Sequence, residues 1–235
     1  MRRMLWVDGI GAVLVLAAVV GCSSVKSEPQ ATAPSCGGEV GRVPFYSTSF
    51  QLDELPISES GAWSHTGRSW TFVQTENGFA HGTQTGQGGY DDSYAYLSGF
   101  PPDQQACAQI HRGSPAGFQE VEILLRWSDS ENSARGYECF IHHSGQYAKI
   151  VRWNGPYGDF TTIANVGNVT APQDGDTVRA TAIGSVISLY LNDQMLAQAI
   201  DSTYSTGNPG MGFFKDNDGR ANTEFGFVSY AATGL

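Results

Sequence analysis

The sequence predicts an all-β protein whose main domain is a two-sheet antiparallel jelly-roll sandwich. Glycine is abundant, at 29 of 235 residues, and only 15% of the residues are charged, a composition that suits many short strands and turns. Turn signals separate short alternating runs about every 8–12 residues, which is typical of β-sandwiches. Outside the N-terminus, no stretch repeats its apolar residues with the period of a helix.

Three consecutive antiparallel strands between Phe118 and Gly155 organise the predicted domain. They are predicted at Gln119–Trp127, Gly136–His143 and Tyr147–Trp153. Three such strands form one sheet with a buried face and a face open to water. The other predicted strands are, in chain order, Tyr46–Leu52, Trp70–Gln74, Phe79–Thr83, Ser93–Leu97, Gln104–His111, Asp159–Val166, Asp176–Ala182, Val186–Leu191, Met195–Ile200, Met211–Lys215 and Asn222–Ala231.

The first of the three strands alternates polar and apolar residues, as a half-buried strand does. Glu120, Glu122 and Arg126 share its polar face, which we expect to face water and to be joined by Glu138 and His142. The apolar face, expected in the core, carries Val121, Ile123, Leu125 and Trp127. A ligand site should therefore lie on or beside this sheet.

Residues 1–21 have the pattern of a bacterial lipoprotein signal peptide. Two arginines precede an apolar run, Ile10–Val20, that is too short to span a bilayer. The Val-Val-Gly sequence before Cys22 resembles a lipobox, which implies cleavage before Cys22 and a diacylglycerol on its sulfur. Residues 22–44, rich in Ser, Pro, Ala, Thr and Gly, predict a flexible tether before a domain at 45–235. We therefore expect a lipid-anchored protein of the bacterial cell envelope, facing outside the cytoplasm.

The formal net charge of −10 makes nucleic acid a poor partner, because binding phosphates requires clustered Lys and Arg. The expected partners are the membrane, through the anchor, and a glycan. We expect the protein to be a monomer.

Strand and turn motifs occur at Gly136–Glu138, Tyr147–Arg152, Asp176–Ala180, Ile187–Asp193 and Gly207–Phe213. Together they resemble the concanavalin A-like lectin and glucanase superfamily, most closely its laminin G-like and keto-disaccharide-hydrolase-like branches. The resemblance covers most of the domain and implies two curved antiparallel sheets, with ligands usually on the concave one. Its motifs identify a fold rather than an activity.

A glycoside hydrolase is one enzymatic alternative. Family 16 enzymes carry Glu-x-Asp-x-x-Glu on a concave strand, and retaining hydrolysis needs two carboxyl groups about 5–5.5 Å apart. Glu120 and Glu122 lie on one face here, but Leu125 occupies the third position. We therefore predict no hydrolysis of this type from Glu120 and Glu122.

A polysaccharide lyase is the other enzymatic alternative. Gln109-Ile110-His111 and Tyr147-Ala148-Lys149 are similar to two motifs of family 7 alginate lyases. In that resemblance, Gln109 would neutralise a uronate carboxylate, and His111 or Tyr147 would take and return protons. The arginine-rich strand of that family is missing.

Glycan binding without catalysis is the function that the sequence favours. Aromatic side chains would stack on sugar rings, and polar ones would bind the hydroxyl groups. The candidate binding residues are Glu122, Arg126, Glu138, His142, Arg152, Trp153 and Tyr94. No cofactor is expected, apart from a possible structural calcium ion at Asp216 and Asp218, in a sequence that also favours a simple turn.

Three cysteines remain once Cys22 is assigned to the lipid. An exported chain should form one disulfide among Cys36, Cys107 and Cys139. We favour Cys107–Cys139, with Cys36–Cys107 as the next alternative. If their strands lay two apart in one sheet, about 9.6 Å would separate Cys107 and Cys139, beyond the reach of a disulfide. The bridge therefore requires Cys107 to lie outside that sheet, for instance across the sandwich.

Overall fold

The computed structural model describes residues 45–85, 92–114 and 117–235, all in one compact unit of the chain. These residues form fourteen β-strands and a short 3-10 helix at Asn222–Glu224. In chain order, the strands are β1 (Phe45–Thr48), β2 (Thr71–Glu76), β3 (Phe79–Gly82), β4 (Ser93–Tyr96), β5 (Gln104–Arg112), β6 (Gln119–Ser130), β7 (Ser133–His142), β8 (Tyr147–Gly155), β9 (Phe160–Gly167), β10 (Thr177–Ile183), β11 (Val186–Leu191), β12 (Gln194–Ile200), β13 (Asn208–Lys215) and β14 (Phe225–Gly234).

The predicted signal peptide, the lipidation site Cys22 and the tether at 22–44 lie outside the described residues. Within the described ranges, every predicted strand has a counterpart, and the differences lie at the strand ends. β1 ends at Thr48 rather than Leu52, because Phe50 has a φ of 51°, a left-handed conformation that interrupts an extended chain. Among the described residues, no helix is both long and apolar enough to cross a bilayer.

Two antiparallel sheets form the sandwich. Sheet A has the order β12-β11-β10-β5-β14-β3-β2, with β1 also paired to β14. Sheet B has the order β4-β13-β6-β7-β8-β9, and a parallel pair of β2 and β4 joins the two sheets at one edge. The predicted all-β, two-sheet jelly roll is confirmed.

The hydrophobic core lies between the two sheets. Its buried side chains come from both layers and include Ala106, Ile110, Val178 and Leu189 of sheet A and Val121, Ile123, Ile141 and Ile150 of sheet B. Burying a large aliphatic side chain of this kind contributes about 1.5–3 kcal/mol. Because side chains alternate along a strand, the intervening residues of β6, β7 and β8 project from the outer face of sheet B, away from this core.

A β-bulge in β6 changes the predicted alternation. Arg126 has a φ of 50°, and the pairing of β6 with β7 shifts register between Leu125 and Ser128. The extra residue resets the alternation, so Trp127 joins the outer face instead of the core. The Arg126 guanidinium donates hydrogen bonds to the carbonyls of Pro102 and Tyr204, 2.8 and 2.9 Å away. The prediction that Arg126 shares the face of Glu120 is therefore wrong.

The predicted Cys107–Cys139 bridge is not formed. Cys139 is a buried free thiol in β7 of sheet B, and its side chain faces the core. Cys107 lies in β5 of sheet A between core residues Ala106 and Ala108, so it points away from the core. Cys107 is itself disulfide-bonded, to a cysteine other than Cys139. The other cysteines of the chain lie outside the described residues.

Candidate functional site

Three glutamates meet on the outer face of sheet B. Glu120 and Glu122 are two residues apart on β6, and Glu138 on β7 pairs with Leu124 of β6. Glu122 pairs with Phe140, so Glu138 is its diagonal neighbour on the same face. The prediction of a wet face is wrong, because only 8% of Glu120, 2% of Glu122 and 5% of Glu138 are exposed.

A glycine on the neighbouring strand makes room for the central glutamate. Gly212 of β13 pairs with Glu122 of β6 and with Tyr94 of β4. A Cβ atom at Gly212 would lie 2.1 Å from Glu122 Oε2 and 3.1 Å from the Ser93 carbonyl oxygen. The Glu122 carboxyl group therefore lies over the backbone of β13, in space that a side chain would fill.

A pocket of about 320 Å³ opens on this face. Its lining residues are Asp92, Phe118, Glu120, Glu138, Phe140, Tyr147, Lys149, Val151, Trp153, Phe160, Phe214 and Asp216. Six of these are aromatic and four are acidic, and Lys149 is the one basic side chain in this lining. Aromatic walls with a few fixed polar groups are typical of small-molecule sites.

Residues of β8 hold the carboxyl groups in place. The Tyr147 hydroxyl donates a hydrogen bond to Glu120, and the Trp153 indole N–H donates one to Glu138. The Lys149 ammonium nitrogen lies 4.0 Å from the centre of the Tyr147 ring and 5.9 Å from that of Phe140. Tyr147, Lys149 and Trp153 share one face because they alternate along β8.

Burial raises the pKa of all three glutamates. Burial raises the pKa of Glu120 to about 7, against the lowering effects of the Tyr147 hydrogen bond and the Lys149 charge. It raises the pKa of Glu138 to about 8, with a further contribution from the charge of Glu120. The pKa of Glu122 lies well above its ordinary value because of burial and the nearby charges of Glu138 and Asp92. Near neutral pH, Glu120 and Glu138 therefore exchange between acid and carboxylate forms.

An aromatic cluster continues the outer face beyond the pocket. Trp70 lies across it, with ring centres 5.6 Å from Trp153 and 5.8 Å from Tyr94. The Tyr94 hydroxyl donates a 2.7 Å hydrogen bond to Asp129, and its ring packs 5.3 Å from Trp127. Tyr94 is thus a packed side chain outside the pocket lining, whereas Trp153, also predicted, lines the pocket.

The remaining predicted binding residues lie outside the pocket lining. Arg152 pairs with Asp201 at 2.6 Å. His142 is fully buried, and burial lowers its pKa to about 4, so its imidazole is neutral at pH 7. Its ring centre lies 4.5 Å from that of His143, because β7 ends at His142 and strand alternation no longer separates the two rings.

The residues of the polysaccharide lyase alternative do not meet. Gln109 and His111 belong to β5 of sheet A and alternate with core residue Ile110, so they project from the outer face of that sheet. Gln109 donates a hydrogen bond to the Gly175 carbonyl at 3.2 Å. Tyr147, in contrast, lines the pocket of sheet B.

The predicted calcium residues form a turn at the end of β13. Asp218 accepts hydrogen bonds from the backbone N–H groups of Phe118 and Arg220, at 2.6 and 2.9 Å. Asp216 accepts one from Asn217 and also lines the pocket. Within 45–85, 92–114 and 117–235, no group of three or more His, Cys, Asp or Glu side chains is placed to hold a metal ion.

Several pocket residues were not predicted as binding residues. Lys149 and Val151 could have been found from their alternation with Tyr147 and Trp153 along β8. Asp92, before β4, and Phe214, on β13, reach the pocket only because β13 pairs with both β4 and β6. No local sequence signal indicates that pairing.

The fold matches solved structures of carbohydrate-related proteins, although no family model and no curated protein sequence matches the chain. The carbohydrate-binding module CBM66 from Bacillus subtilis aligns with a TM-score of 0.52 and 16% identity, over 76% of this chain and 96% of that one. The potassium-bound carbohydrate recognition domain of Emp46p aligns with a TM-score of 0.53 and 11% identity, over 80% and 95%.

A structure described as a native glycosidic hydrolase aligns with a TM-score of 0.52 and 12% identity, over 80% of this chain and 94% of that one. Identities this low establish the fold alone. They agree with the jelly-roll fold that the sequence predicted.

Proposed function

We propose that this chain is a glycan-binding protein and that its site is the pocket on the outer face of sheet B. One observation carries the proposal: aromatic rings, buried carboxyl groups and an ammonium group line a single pocket. Aromatic rings bind the apolar faces of sugars, while carboxyl groups donate or accept hydrogen bonds with hydroxyls. The fold shared with a carbohydrate-binding module and a carbohydrate recognition domain supports this proposal.

The lining residues divide into two roles. The rings of Phe118, Phe160 and Phe214 are half-buried, so they offer apolar surface at the pocket wall. Glu120 and Glu138 are held by Tyr147 and Trp153, so their carboxyl groups are already oriented before a ligand arrives. Preorganised groups of this kind lose little conformational entropy on binding.

We further propose that the domain is presented at the cell envelope by a lipid on Cys22, as the lipobox-like sequence before Cys22 suggests. Mass spectrometry of membranes from expressing bacteria should find a lipidated N-terminal Cys22. If Cys22→Ala is processed and retained in membranes like the parent chain, the anchor is disproved.

A glycan array with the full chain tests the binding proposal. Glu120→Gln and Phe214→Ala should each weaken binding of the glycan that the array identifies at least ten-fold, because both side chains line the pocket. Gln109→Ala, on the outer face of sheet A, is the matched control and should bind like the parent. Equal losses in all three variants, or no glycan bound by the parent, would contradict the proposal.

Glycoside hydrolysis is the second candidate function. Its supporting observation is that Glu120 and Glu138 line one pocket with pKa values raised to about 7 and 8, as a general acid requires. The family 16 arrangement is not reproduced, because Leu125 faces the core. Reducing-end release from array hits decides between the functions: release by the parent that is lost in Glu138→Gln establishes the enzyme, and its absence leaves binding alone.

A further inference from the structure

Acidic groups outnumber basic ones in the part of the pocket lining that the structure describes. Glu120, Glu138 and Asp216 line it, and Lys149 supplies the one ammonium group of that described lining. Glu122 lies beside this lining, close enough for the charges of Asp92 and Glu138 to affect its titration. A ligand that brings positive charge would reduce this imbalance.

Glu122 supplies an independent sign of a missing hydrogen-bond partner. Its side chain is almost completely buried, and its Oε1 atom has no hydrogen-bond partner among the described residues. A buried polar atom without a partner costs about 1–3 kcal/mol, so it calls for an explanation. This Glu122 oxygen belongs to the same cluster of glutamates as the pocket residues Glu120 and Glu138.

Lys149 indicates how the pocket holds an ammonium group. Its nitrogen lies over the face of the Tyr147 ring, and its charge lowers the pKa of both Glu120 and Glu138. Aromatic faces and carboxylates both attract cations, and the attraction grows where water is excluded. The pocket therefore already combines the two features that stabilise a bound amine.

We infer that the pocket selects a glycan with a free ammonium group, namely a de-N-acetylated amino sugar. This inference rests on the proposed glycan-binding function and names its ligand class. A uronate or a sulfated sugar would be repelled by the carboxylates, and a neutral or N-acetylated sugar would leave the acidic excess unbalanced. The ammonium group would lie among Glu120, Glu138 and the surrounding aromatic rings.

Binding of such a cation should release protons. The titratable groups that face the site are Asp92 before β4, Glu120 and Glu122 on β6, Glu138 and His142 on β7, Tyr147 and Lys149 on β8, and Asp216 after β13. Of these, Glu120 and Glu138 hold part of their protons near neutral pH because they are buried. An incoming ammonium group favours their carboxylate form, so protons leave to the buffer.

The test is calorimetric titration of the full chain with two probes, a β-1,4-linked glucosamine tetramer and the same tetramer fully N-acetylated. At pH 7 we expect the free-amine tetramer to bind at least ten-fold more tightly. Repeating the titration in buffers of different ionisation enthalpy should show net proton release for this tetramer only.

Variants separate charge from shape. Glu138→Gln keeps the size of the side chain and should reduce the preference for the free amine several-fold, whereas Lys149→Met should increase it by removing the competing ammonium group. Asp193→Asn, which is remote from the pocket and exposed, is the charge-matched control and should leave the preference for the free amine unchanged.

Equal affinity for the two tetramers, or preference for the acetylated one, overturns the inference while leaving glycan binding intact. Binding only to other, uncharged glycans on the array has the same meaning. Failure to bind any glycan on the array overturns the proposed function itself.

Discussion

The outer face of each sheet carries a cation packed over a tyrosine ring, but the contact on sheet A lies beside an exposed carboxylate and the one on sheet B beside a buried carboxyl group. On sheet A, the Arg179 guanidinium lies 3.9 Å from the centre of the Tyr190 ring and pairs with Asp193, whose side chain is 88% exposed. On sheet B, the Lys149 ammonium lies 4.0 Å from the centre of the Tyr147 ring, beside the buried Glu120. Water screens the first set of charges and is largely excluded from the second. Burial, rather than residue type, therefore distinguishes the two outer faces.

The largest difference in stability between the two outer faces is expected when an aromatic ring is removed from each. Trp153 is buried in the aromatic cluster of sheet B, so Trp153→Ala should lower the free energy of unfolding by about 3–5 kcal/mol. Tyr190→Ala, on the solvent side of sheet A, should cost much less because its ring is only half-buried. Urea denaturation of both variants measures the difference, and similar losses would show that the two outer faces are packed alike.

A smaller loss is expected when the space of Glu122 is filled. Gly212→Ala places a Cβ atom 2.1 Å from Glu122 Oε2 and should destabilise the fold by about 1–3 kcal/mol through overpacking. Gly113→Ala is the matched control, because its nearest neighbour would lie at an ordinary 3.5 Å. Thermal denaturation compares the two, and an unchanged melting temperature in Gly212→Ala would mean that the Glu122 carboxyl group moves freely.

Because the buried carboxyl groups bind protons more tightly in the folded state, the free energy of unfolding should fall as pH rises. Glu120 and Glu138 titrate at about 7 and 8 in the folded protein but near 4.5 when unfolded, so the folded state binds more protons in between. His142, whose pKa is lowered to about 4, opposes this trend only below its ordinary value of 6.5.

Between pH 6.5 and 8, the free energy of unfolding should therefore decrease by about 1.5 kcal/mol per pH unit. Denaturation at a series of pH values measures this slope. Glu138→Gln should flatten it, and Asp193→Asn should not. A slope that stays unchanged in Glu138→Gln would place the titrating groups elsewhere.

The smallest effect is expected on sheet A. Asp193→Asn removes the partner of Arg179 in an exposed turn, and such pairs contribute about 0.2–1 kcal/mol. The loss should disappear in 1 M salt, where exposed charges are screened. A loss above 2 kcal/mol would contradict the contrast between the two faces.

The sequence by itself determined which segments form strands and that Glu120 and Glu122 share one face of β6. These features depend on local alternation and turn chemistry, which a short stretch of chain already contains. The same local pattern placed Tyr147 and Trp153 on one side of β8.

Only the tertiary structure decided what surrounds those residues. The bulge at Arg126 moves Trp127 to the outer face, and the two-layer arrangement directs Cys107 away from Cys139. The pairing of β13 with β4 and β6 brings Asp92 and Phe214 to one pocket. Alternation specifies to which side of its own strand a side chain points. Which strands pair and which side chains are buried depends on residues distant in sequence. For that reason a face predicted to be wet is a buried acidic site.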